Sequence, residues 1–184
     1  TCATTYDVLT VYAKPVVSIT TSGDNTICAD GSTVLSASVT NEDALGNPTS
    51  YVWYEGGTEE SNVISNQTGA SLQLSDLTAG THNYYVKANV THGEDESAVV
   101  CTSEIYGPYT VTVYEAFTVS DITGTSTHCL NDNANLSLSV TAEGGNTTTA
   151  YNYAWSYRLN GGESVALEST ANTVDVLTNA AGTY

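Results

Sequence analysis

Cysteine, histidine and carboxylate side chains are the groups in this chain that could do chemistry. There are four cysteines, three histidines and 20 acidic residues in 184 positions. Neither C-x-x-C nor a pair of histidines at metal-ligand spacing occurs, so the thiols point to disulfides in an oxidising compartment and not to zinc. His82, His92 and His128 stand apart from any nucleophile motif, G-x-S-x-G is missing, and Glu59–Glu60 sits in a turn beside Gly56 and Gly57, where solvated charge is expected. No catalytic constellation emerges, and enzymatic activity is not expected. No cofactor is expected either, with calcium as the one candidate. That ion needs 6–8 oxygen ligands from loops, and "NEDALGN" (41–47), "HGEDES" (92–97) and "NDNAN" (131–135) are dense in them. Asp132 and Asn133 are the first calcium candidates, with Asp43 and Asp95 in the other two loops.

Charge narrows the partners. Lysine and arginine total 3, the formal net charge is −17, and the three cations (Lys14, Lys87, Arg158) are scattered. Nothing there neutralises a phosphate backbone or an anionic membrane surface, which excludes nucleic acid and membrane association. No apolar run approaches the roughly 20 residues of a spanning helix.

The elements that must position these groups repeat. "ICADGSTVLSASVT" (27–40) returns as "HCLNDNANLSLSVT" (128–141), "SYVWYE" around Trp53 as "NYAWSY" around Trp155, and "LTAGTH" (77–82) as "TNAAGTY" (178–184). Trp53 to Trp155 is a step of 102 and Cys28 to Cys129 a step of 101. "YDVLTVYAKPVVS" (6–18) also matches "YTVTVYEAFTVS" (109–120). The expected organisation is a closing strand of a preceding repeat (1–13), a complete repeat (14–115) and a third repeat lacking its last strands (116–184). The ending "NAAGTY" reads either as a window cut from a longer array or as an open joint that a neighbouring subunit's N-terminal strand completes.

Within the complete repeat, alternation of apolar and polar residues marks about seven short strands. Leu35, Ala37 and Val39 face inward from 32–40, Leu72 and Leu74 from 70–75, and Tyr84, Val86, Ala88 and Val90 from 81–90. Trp53, Trp155 and Tyr84 are expected in the core, with sugar stacking as the rival role for the tryptophans. Seven strands in about one hundred residues imply an all-β fold of tandem immunoglobulin-like β-sandwiches. Read through the repeat, Cys28 and Cys101 are the expected pair, worth about 4 kcal/mol in the loop-entropy picture. Cys2 and Cys129 are then left to partners outside this segment or in a neighbouring subunit.

An early Cys opening one strand, Y-x-W on the next, "L-x-x-G-x-Y" before the long strand, a late Cys and a "Y-x-V-x-V" closing strand together resemble bacterial immunoglobulin-like and PKD-like tandem repeats of large secreted or cell-surface proteins, notably of Bacteroidota. The resemblance implies an extracellular or cell-surface location and a non-catalytic structural role: a fibre or adhesin stalk of head-to-tail domains stapled by disulfides, with neighbouring copies of the repeat as partners. The alternative is an adhesion module that binds glycans or proteins, with calcium assisting, through loops such as 55–68 and 91–105. A third class, decoration of an enzyme, finds no support in the residues.

Overall fold

The structure is a computed structural model, and it describes residues 9–41, 50–93, 98–124, 127, 129, 136–176 and 181–183. Two compact units divide the chain, Thr1–Tyr114 and Glu115–Tyr184.

Unit 1 is built from β1 (Val17–Thr21), β2 (Thr26–Cys28), β3 (Thr33–Val39), β4 (Ser50–Glu55), β5 (Ser71–Leu74), β6 (Gly80–His92), β7 (Val99–Thr102) and the first part of β8 (Tyr106–Val119). β1, β3 and β5 form one antiparallel sheet, with Val17 opposite Val39 and Leu35 opposite Leu72. β4, β6 and β8 form the other, with Trp53 opposite Val86 and Thr81 opposite Thr112. The two sheets close on one core, so the fold is all-β with the order of an immunoglobulin-like sandwich.

Alternation fixes which residues enter that core. Leu35 and Ala37 of β3, Leu72 and Leu74 of β5, and Tyr84, Val86, Ala88 and Val90 of β6 are all buried, while their neighbours on each strand are not. Trp53 lies at the centre with no exposed surface, and its indole N–H donates to the Gly69 carbonyl at 3.0 Å. Burying such a ring removes roughly 200 Å² from water, worth about 5 kcal/mol at most. Leaving its N–H unpaired would cost about 1–3 kcal/mol. Burial therefore drives the placement, and the hydrogen bond keeps it from being eroded.

Tyr54 departs from the alternation rule. It points away from the core yet is 4% exposed. The segment after β4 folds back to bridge Val63 to Tyr54, and the Lys87 ammonium lies 5.7 Å from its ring centre.

β7 and β8 both follow the same edge of β6, separated by a break at 103–105. Ser103 fills the break: its N–H donates to the Ala88 carbonyl and its hydroxyl oxygen accepts from the Ala88 N–H, both at 2.9 Å. Close by, Gly107 has φ 137°, and a Cβ there would stand 2.7 Å from the Tyr84 carbonyl oxygen. Only glycine fits this position.

Unit 2 contains the end of β8 with β9 (Thr123–Gly124), β10 (Leu136–Ser139), β11 (Ala142–Gly145), β12 (Trp155–Tyr157), β13 (Val165–Leu167) and β14 (Thr173–Val176). β9, β10 and β14 form one sheet, β11 pairs with β8 from Glu115 to Val119, and β12 pairs with β13. Its buried apolar residues are Val140, Ala142, Val174 and Val176.

The expected staple does not form. Cys28, Cys101 and Cys129 are free thiols, and Cys2 lies outside the described residues. The topology explains why for the pair Cys28 and Cys101. Cys28 stands beside Tyr114, next to the pairing of Val113 with Gly80 at the start of β6, whereas Cys101 stands opposite Val90 near the end of β6. Ten residues of strand separate those points, roughly 33 Å, and a disulfide needs Cα atoms within about 7 Å. The cysteines belong to one repeat in sequence but to opposite ends of one sheet.

Candidate functional site

Unit 2 carries an apolar cleft. It encloses about 320 Å³ between the stretch 151–155 on one side and Phe117, Val119 and Ile122 on the other, with Val140 also among its lining. Phe117, Val119 and Ile122 are 56%, 54% and 62% exposed, a concentration of apolar surface that a soluble chain ordinarily hides. Local bonds set the aromatic wall. Tyr151 donates its hydroxyl to the Gly144 carbonyl at 2.7 Å, and its ring lies 5.6 Å from that of Phe117 at 58°, a tilted pair. Trp155 donates its indole N–H to the Ala171 carbonyl at 2.9 Å, which holds the ring while leaving it only half-buried. Ser120 and Asn152 supply the polar side chains of the lining. The arrangement suits stacking and apolar contact with a ligand, not bond-making chemistry.

Elsewhere, polar side chains brace the fold. His82 sits between Glu55, 3.2 Å from its Nδ1, and the Thr78 carbonyl, 2.8 Å from its Nε2, and the Tyr84 hydroxyl donates to the same Glu55 oxygen at 3.0 Å. Burial first, then the charge of Glu55 and its hydrogen bond, push the Tyr84 phenol well above the ordinary tyrosine range. Burial also raises Tyr51. Lys14 pairs with Glu104, and that hydrogen bond followed by the ammonium charge lowers the Glu104 carboxyl. The Tyr12 ring stacks on His92 at 3.9 Å.

Of the other residues singled out from the sequence, Trp53 and Tyr84 come together in one core. Trp53 and Tyr84 are fully buried in unit 1, and Trp155 borders the cleft. Asp43, Asp95, Asp132 and Asn133 lie outside the described residues. Among the described residues, no group of three His, Cys, Asp or Glu side chains is placed to hold a metal ion. No helix among them is long and apolar enough to cross a membrane. Sequence reasoning missed Phe117 as a lining residue. The signal was present: it is the only phenylalanine of the chain, standing one period after Pro15 on an exposed strand.

Residues 13–114 match a family model described as Ig-like domain CHU_C associated. None of the curated proteins matches the chain. An Ig-like domain of this family is consistent with a non-catalytic protein.

Proposed function

The chain belongs to the family of Ig-like domains described as CHU_C associated, and from that premise we propose that it is a non-catalytic adhesion module of the extracellular surface, working by contact with a protein or glycan. The observation that carries this reading is the aromatic cleft of unit 2, where Phe117, Val119 and Ile122 are more than half exposed. A purely mechanical stalk stapled by disulfides would have no use for such a cleft, and its staples are missing.

The finer organisation follows from the repeat. Unit 2 is a second immunoglobulin-like repeat of the same period, within a surface protein of the tandem-repeat type. The paired indole bonds support this, since Trp53 and Trp155 each donate to a carbonyl 16 residues further on.

The test is a screen of the chain against glycans and extracellular proteins, repeated with Trp155→Ala and Phe117→Ser. Binding that both substitutions weaken at least tenfold, with the melting of unit 1 unchanged, supports the reading. A screen without any specific ligand would sink it.

A further inference from the structure

The sequence holds one Asn-Gly pair, Asn160–Gly161, and one Asp-Gly pair, Asp30–Gly31. Asn160 and Asp30 both stand in exposed turns at positive φ, 52° and 67°. Such pairs carry their own reactivity. Glycine has no Cβ to shield its backbone nitrogen, so that nitrogen can attack the side-chain carbonyl carbon of the residue before it and close a five-membered ring. Asparagine reacts more readily than aspartate, because a neutral amide can lose ammonia whereas a carboxylate must first take up a proton. At Asp30 the glycine is also occupied, since the Gly31 N–H donates to the Cys28 carbonyl at 2.9 Å. Asn160 is therefore the site to consider.

The fold of unit 2 holds Asn160 against that reaction. Its backbone N–H donates to the Thr183 carbonyl at 2.6 Å, and its side-chain oxygen accepts from the Thr183 N–H at 2.9 Å, so one asparagine grips both polar groups of one residue. Gly182 lies flush against it: a Cβ there would stand 2.6 Å from the Asn160 side-chain oxygen and equally close to Leu159. Ring closure requires the Gly161 nitrogen to eclipse Cβ across the Asn160 Cα–C bond, which for an L residue happens at strongly negative ψ. Asn160 has ψ 33°, which turns that nitrogen to the side of the bond away from the side chain. The reaction must wait for the turn to open, and the two bonds to Thr183 oppose opening.

We infer that Asn160 is a self-modification site gated by its clamp on Thr183, a one-way release built into unit 2. When the turn opens, the Gly161 nitrogen gives up its proton and bonds to Cγ of Asn160. The Cγ–Nδ2 bond breaks, and ammonia leaves with that proton. The resulting succinimide takes up one water at either of its carbonyls, giving aspartate or isoaspartate, and the balance needs nothing else. Isoaspartate lengthens the main chain by one methylene and shortens the side branch to a carboxylate on Cα. The N–H and the side-chain oxygen can then no longer meet the two Thr183 groups together, and the grip is lost for good. The site lies outside the lining of the cleft and does not depend on the binding-module reading.

The test is storage of the whole chain at mildly alkaline pH, folded and in urea, with peptide mapping for the gain of about 1 Da that deamidation brings and for isoaspartate. Conversion at Asn160 should be at least tenfold slower in the folded chain than in urea, because it needs local opening. Thr183→Pro, which removes the donated N–H, and Gly182→Ala, whose Cβ displaces the Asn160 side-chain oxygen, should each speed conversion of the folded chain at least threefold. In the wild-type chain, amide exchange at Thr183 should rise in the isoaspartate fraction alone. Equal rates in the folded and the urea-unfolded chain overturn the inference. So do variants that stay folded and leave the rate unchanged, and so does an isoaspartate fraction whose Thr183 amide stays protected. Should either variant unfold unit 2, the wild-type rate ratio and the Thr183 amide still decide.

Discussion

Trp53 in unit 1 and Trp155 in unit 2 make the same hydrogen bond to a carbonyl 16 residues on, yet one is wholly buried and the other only partly. The ring's pin is local, set by the turn that follows its strand. Its burial is not local, because it depends on β6, which arrives some thirty residues later. The sheets opposite differ in a related way. In unit 1 Leu35 pairs with Leu72, and the residues one period on are Leu136 and Val174. In unit 2, however, Leu136 pairs with Val176 and Leu138 with Val174, a slide of two residues. A slide of one would turn every apolar side chain outward, whereas a slide of two preserves the faces. Alternation therefore fixes which face is inward and leaves the exact register to packing.

The sharpest way to break this comparison is to put a charge at equivalent positions. Val17→Asp buries an unpaired carboxylate and should cost unit 1 about 4 kcal/mol or more, while Val119→Asp should stay within about 0.5 kcal/mol. Chemical denaturation of each variant measures both, and equal costs would refute the assigned difference in burial. Truncating the rings comes next. Trp53→Ala should cost about 3–5 kcal/mol, and Trp155→Ala less, about 2 kcal/mol, because its ring is only partly buried. A smaller loss, about 1–3 kcal/mol, is expected for Gly107→Ala, whose Cβ would press on the Tyr84 carbonyl at a φ closed to side chains.

Alkaline pH should distinguish the units more gently. Tyr84 is held protonated above the ordinary tyrosine value, so above about pH 10 the unfolded chain loses a proton that the folded one keeps. Stability of unit 1 should be unaffected by this group below that pH and fall as pH rises beyond it. Tyr84→Phe should remove that share of the fall in a series of melts. The smallest effect belongs to Lys14 and Glu104, a pair whose lysine is replaced by Ala116 one period on. Its contribution is present above the ordinary carboxylate range and lost as pH drops through the lowered Glu104 value. With both side chains more than half exposed, Glu104→Gln should leave the neutral melting midpoint where it is.

What was legible in the sequence was what depends on neighbours along one strand. The inward faces of β3, β5 and β6 follow from period-2 alternation, and the all-β class follows with them. What was not legible depends on where strands end up relative to one another. Cys28 and Cys101 look like partners when repeats are aligned, but repeat alignment carries no information about position along β6, and they fall at opposite ends of it. Tyr54 reads as an outward residue because alternation cannot see Val63 returning over it. The cleft was invisible for the same reason. Equivalent strands share a pattern whatever packs over them, and Val17 at 4% and Val119 at 54% exposure differ only in that covering.

The parallel contact between β2 and β8 has a mechanical consequence. Thr26, Ile27 and Cys28 lie beside Thr112, Val113 and Tyr114, and the Thr112 N–H to Asn25 and Ala29 N–H to Tyr114 bonds extend the patch at 2.8 and 2.7 Å. β2 lies early in unit 1 and Tyr114 closes it. Tension drawing these strands past each other would load all of those bonds sideways at once, whereas a hairpin peeled from its tip gives way one bond at a time. Under traction, this short patch would be the seam that sets the force at which unit 1 opens.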